Sequence, residues 1–78
     1  MKTEIKFKKS DVAWLERTIS LLNEGGVWGI PRNSSVWVFH KEKKQAVLKK
    51  GDPNNVDNLT TKAILEHLKW EVITNDEE

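Results

Sequence analysis

The residues of this chain best suited to chemistry are four tryptophans and a cluster of lysines around a β-branched segment, and the chemistry they suit is binding. Lys41, Lys43, Lys44, Lys49 and Lys50, with Arg32 and His40 nearby in sequence, offer cationic groups to phosphates or to an acidic protein surface. Trp28 and Trp37 offer flat apolar surface, which can stack on an unpaired base or fill a pocket on a protein partner. Lysines at a hairpin tip are also ordinary solvated residues that discourage strand-to-strand aggregation, so charge alone does not decide for nucleic acid. A sequence pI near 8.0 falls well short of the strongly basic balance of a dedicated nucleic-acid binder.

Residues for catalysis are sparse. His40 and His67 are the only histidines, and neither has a second histidine at a metal-binding helical spacing. Cysteine is absent, which removes thiolate nucleophiles, thiolate metal sites and disulfides together. No serine sits in a G-x-S-x-G elbow. The loop Gly51-Asp52-Pro53-Asn54-Asn55 has an Asp-x-Asn element but lacks the glycine and glutamate of a calcium loop, so it reads as turn chemistry. Gly25-Gly26-Val27-Trp28-Gly29 follows a helix and enters a strand, the wrong order for a phosphate cradle. The expectation is a non-enzymatic protein with no cofactor, no metal and no small-molecule substrate.

Several elements must position the binding residues. Glu4-Ile5-Lys6-Phe7-Lys8 alternates as a half-solvated strand. Ser10 or Asp11 then caps a helix whose stripe is Val12, Leu15, Ile19 and Leu22, with Trp14, Thr18 and Leu21 widening the apolar side, and Gly25-Gly26 ends it. Val27–Ile30 is β-prone but runs into Pro31, which assigns it to an edge or a loop. Val36–His40 is the strongest strand, joined to Gln45–Lys49 through Lys41–Lys44 by a four-residue connection built on a type I turn. A second helix, capped by Asp57, Asn58 or Thr60, carries Leu59, Ala63, Ile64, Leu65 and Leu68, and Trp70–Ile73 closes as a strand.

The fold class expected is α+β, a small antiparallel sheet of four or five strands with two helices on one face. With Val27–Ile30 folded into the second strand region, the order is the ferredoxin-like βαββαβ; as a separate strand it gives five strands. Residues 1–78 form one small domain, with 74–78 a frayed acidic tail. The Gln45–Lys49 strand lacks the alternating aromatics and the glycine with which sheet-based RNA-binding modules stack bases.

Composition bounds the rest. Thirteen basic against twelve acidic residues give +1, yet residues 1–10 carry +3, residues 41–50 carry +4 and residues 71–78 carry −4. No apolar run approaches a signal peptide or a membrane span, so the expected location is cytoplasmic, with no membrane partner. Trp14 and Trp70 lie beside apolar faces and read as core. Two helices cover one face of a sheet and not two, so Trp28 and Trp37 with the flanking valines are expected on the open face as anchors. Arg32, Lys43, Lys44, Lys49 and Lys50 would form its polar rim. The leading reading is therefore protein–protein contact with an acidic partner or a second copy, in keeping with a small phage or mobile-element accessory factor. The alternative is a nucleic-acid-binding module using the basic 41–50 hairpin.

Overall fold

The computed structural model describes residues 6–74. Its elements run α1 (Lys9–Ser20), β1 (Gly26–Ile30), β2 (Ser35–His40), β3 (Gln45–Lys50), α2 (Val56–His67) and β4 (Glu71–Ile73). The chain is therefore α+β, with two helices and a four-stranded sheet in the order β1-β2-β3-β4.

The ferredoxin-like arrangement is not what forms. β1, β2 and β3 are a meander of antiparallel neighbours, and β4 lies parallel to β3, so the sheet is mixed. The two hairpin links are short enough only for antiparallel neighbours, whereas α2 carries the chain back along the sheet before β4 begins, which makes that pair parallel. Of the strand expected over residues 4–8, residues 4 and 5 lie outside the described residues and Lys6, Phe7 and Lys8 belong to no strand. Phe7 instead packs on the core and meets the His67 ring edge-on at 5.6 Å. Val27–Ile30 is a separate strand at the sheet edge. The acidic tail falls outside the described residues from 75 onward.

Local chemistry explains the element ends. α1 starts two or three residues earlier than its expected caps, Ser10 or Asp11, place it. Lys8 holds the N-cap position, and Asp11 reaches back to accept from its backbone N–H at 3.0 Å. α2 is capped by Asn55, whose side chain accepts from the Asp57 N–H at 2.9 Å, rather than by Asp57, Asn58 or Thr60. Its far end is a Schellman turn. Trp70 N–H donates to Leu65 C=O at 2.9 Å and Lys69 N–H to Glu66 C=O at 3.0 Å, with Lys69 in the left-handed region at φ 69°. The β2–β3 connection is the four residues Lys41–Lys44, closed by Lys44 N–H donating to Lys41 C=O at 3.2 Å.

The core lies between the helices and one sheet face. Leu15 and Ile19 from α1, Ile64 and Leu65 from α2, Trp37 and Phe39 from β2, and Ala46 and Leu48 from β3 are buried together. Burying each of the larger aliphatic and aromatic side chains contributes about 2 kcal/mol. Aromatic rings knit the layer: Trp37 and Phe39 are stacked, and Trp70 meets Phe39 edge-on at 6.0 Å. No helix among the described residues is long and apolar enough to cross a membrane.

Candidate functional site: the open sheet face

Strand alternation divides the sheet residues into two sets. Ser35, Trp37, Phe39, Ala46 and Leu48 point to the helices and are buried, while Val36, Val38, His40, Gln45 and Val47 point away and are half-buried. β2 is thus an inner strand covered by helices on one face only.

Trp37 is on the covered face, which corrects its assignment as a surface anchor. It is fully buried, and its indole Nε1 donates to Asn58 Oδ1 at 3.1 Å. Asn58 is itself buried and uses its amide to donate to Ser35 Oγ at 2.7 Å and to the Asp52 C=O at 2.9 Å. The network supplies the partner a buried indole N–H needs. It also explains Gly51, at φ 125°: a Cβ there would collide with the Ser35 side chain that the network holds. Trp14, expected in the core, is 55% exposed, because the α1 stripe through Leu15 and Ile19 turns it to the side. It lies edge-on to Trp28 at 5.4 Å. Trp28 also points to the helix side and packs on the rim of the core, so neither expected tryptophan anchor stands on the open face.

What the open face presents instead is a row of β-branched residues. The registers pair Val27 with Val38, Val38 with Val47, and Val47 with Ile73, one residue from each of the four strands. At the usual strand spacing of ~4.8 Å this apolar row spans roughly 14 Å. Val36, opposite Gly29, adds to it on one side. Val27 is 61% exposed, and none of the five packs on the core cluster. The row on the other side is polar: His40, Gln45 and Glu71 lie at one level, with Gln45 Nε2 donating to Glu71 Oε1 at 3.0 Å. His40 Nδ1 stands 3.7 Å from Glu24.

The basic residues do not gather into one patch. Lys43 and Lys44 occupy the β2–β3 turn at the polar end. Lys49 and Lys50 lie at the opposite end of β3, where Lys50 pairs with Val36 beside a bulge between Val36 and Trp37. Four residues of strand, Gln45 to Leu48, separate the two pairs, which sets Lys44 and Lys49 about 17 Å apart. Arg32, in the β1–β2 turn, leans toward the helices and grips Asp57 through Nε and Nη2, each bond 3.0 Å. The lysine pairs therefore lie on either side of the apolar row, toward opposite ends of β3, and Arg32 turns to the helix side of the sheet.

A cleft of about 230 Å³ opens there between Trp14, Trp28, Ile30, Ile64, Arg32 and Asp57. It is smaller than usual for a small-molecule site, and its Arg32 and Asp57 charges are spent on each other. Among the described residues no three His, Asp or Glu side chains gather where they could hold a metal ion.

The valine row was only partly visible in the sequence. Val36 and Val38 flank Trp37 and could be named beside it, but Val27, Val47 and Ile73 join them through register. Register depends on bulges and turns that alternation does not reveal. No protein-family model, no curated protein and no solved structure matches this chain.

Proposed function

We propose that this chain is a non-enzymatic binding protein that docks another protein on its open sheet face. One observation carries the reading: Val27, Val38, Val47 and Ile73 form a continuous apolar row across all four strands on the face the helices leave uncovered. Such a row is the central, water-excluding part of an interface, and the lysines on either side of it supply a charged rim. That rim fits an acidic partner. Rim charges act mainly on encounter rate, so Lys43, Lys44, Lys49 and Lys50 would steer the partner while the valines hold it.

Nucleic-acid binding draws less support from this geometry. The lysines are split between two ends, Arg32 is engaged with Asp57, and among the described residues no Trp or Phe ring stands on the open face to stack a base.

The reading is tested by affinity capture from a lysate of the source organism treated with nuclease, comparing the wild-type chain with Val38→Glu. Wild type retains a defined protein, Val38→Glu loses it, and Leu21→Glu, at an exposed apolar residue off the sheet, keeps it. Retention by all three alike, or capture that disappears with nuclease, contradicts the reading.

A further inference from the structure

The two edges of the sheet are not alike. β4 is three residues long and begins at Glu71, features that blunt an edge against pairing. β1 is five residues, Gly26-Val27-Trp28-Gly29-Ile30, with no charge and no proline inside it and an unbroken register against β2. Its outer backbone groups pair with no strand among the described residues.

Apolar surface is exposed on both sides of this edge. Val27 stands 61% exposed on the open face, and on the helix side Trp28 is flanked by Trp14, itself 55% exposed. Gly29 adds a separate observation. It has no left-handed φ, and a Cβ built on it would meet only the Ser35 carbonyl oxygen at an ordinary 3.9 Å. Nothing in the described chain requires a glycine at this position. A glycine inside a strand weakens it, and where the fold does not ask for one it marks close approach by another chain.

The β1 sequence fits itself when run antiparallel about Trp28. Gly26 then faces Ile30 of a second copy, Val27 faces its Gly29, and Trp28 faces its Trp28. Paired residues project to the same side, so Gly29 leaves a notch for the Val27 opposite, whereas the space above Gly26 is filled by Leu22 and Asn23 of its own chain. Both strands keep their face assignment, with Val27 and Gly29 on the open side and Gly26, Trp28 and Ile30 on the helix side.

We infer that β1 is a self-association edge at which two copies of this chain pair antiparallel about a twofold axis through Trp28. The product is one eight-stranded sheet. On its helix side two Trp28 rings meet, each backed by its own Trp14. On its open side Val27 of each copy seats in the notch above Gly29 of the other, and each valine row runs on to the other copy's Gly29 and Val36. The interface is isologous and closes at two copies. A five-residue strand contact about 17 Å long with four tryptophans lies at the small end of protein interfaces, consistent with a dissociation constant of about micromolar. The inference stands apart from the docking reading, since it uses the strand edge rather than the face.

Sedimentation equilibrium of the full chain over a wide concentration range tests it, with Gly29→Val as the variant. Valine suits an exposed strand and finds open space in the monomer, so the variant folds with an unfolding midpoint in dilute solution at or above that of wild type. It fills the notch that Val27 of the second copy needs. The expected result is a wild-type mass rising toward twice the 9.0 kDa of the chain, while Gly29→Val dimerises at least tenfold more weakly. Val38→Glu, which disables the face and not the edge, dimerises as wild type does. A wild-type chain that stays monomeric at every concentration, as when the edge serves an extended peptide of another protein, overturns the inference. So does a Gly29→Val chain that dimerises undiminished.

Discussion

Asn58 shows how one polar side chain can settle the placement of a large apolar one. Its amide receives the Trp37 indole N–H and donates to Ser35 and to the Asp52 carbonyl, all at a position 1% exposed. Truncation to alanine would leave the buried Trp37 N–H and Ser35 hydroxyl without this partner, while the Asp52 carbonyl keeps the Asn55 N–H, so Asn58→Ala is expected to lose about 3 kcal/mol in urea unfolding. The exposed Arg32–Asp57 pair is a contrast. Arg32 is 78% exposed at its side chain, and Arg32→Ala should cost less than ~1 kcal/mol, with the difference shrinking further in high salt. The tryptophans can be ranked in the same way. In single-tryptophan variants, acrylamide should quench Trp14 most and Trp37 least, an order read directly from their exposure of 55% and 0%. Sequence periodicity put Trp14 inside because it neighbours Leu15, but a helix advances about 100° per residue, and Leu15 alone faces the core. Trp37 was expected outside because nothing in the sequence announces that Asn58, 21 residues further on, will meet it.

At the scale of elements, what strong local signals define was legible. The α1 stripe, the Val36–His40 strand, the four-residue hairpin connection, the second helix and the closing strand all form, each driven by periodicity or turn composition within a few residues. The capping positions are harder to place: Asp11, one of the two residues expected to cap α1, acts from the third helical position, and Asn55 caps α2 two residues before the first expected cap. The Schellman turn at the end of α2 offers a direct check. Lys69 holds a left-handed φ of 69° that costs a side-chain-bearing residue about 1 kcal/mol, so Lys69→Gly should raise stability by roughly that amount in thermal or urea unfolding. A loss of stability would show that the lysine side chain contributes more than its backbone costs.

In the whole molecule, helices on one side of a mixed sheet leave an apolar row uncovered on the other. The sequence implies that two helices cover only one face of the sheet, and Val36–His40 has one face free of the helices. The position of that surface could not be read, because the order β1-β2-β3-β4 and the parallel β3–β4 pair arise from long-range pairing. Nor could the separation of the lysines. Adjacent in sequence around one hairpin, they end at opposite ends of β3, which turns an apparent basic patch into two brackets around an apolar row. Reversing charge at Lys43, Lys44, Lys49 and Lys50 together should slow association with a captured partner several-fold at low salt and change its dissociation little, as surface plasmon resonance would show.

The most direct test of the docking account is a quantitative binding measurement between the captured protein and this chain, comparing wild type with Val38→Glu after circular dichroism shows both folded. The account predicts at least a tenfold weaker dissociation constant for Val38→Glu, with wild-type binding only modestly sensitive to salt. Equal affinity for the two chains, or a steep loss of wild-type binding with rising salt, would contradict it.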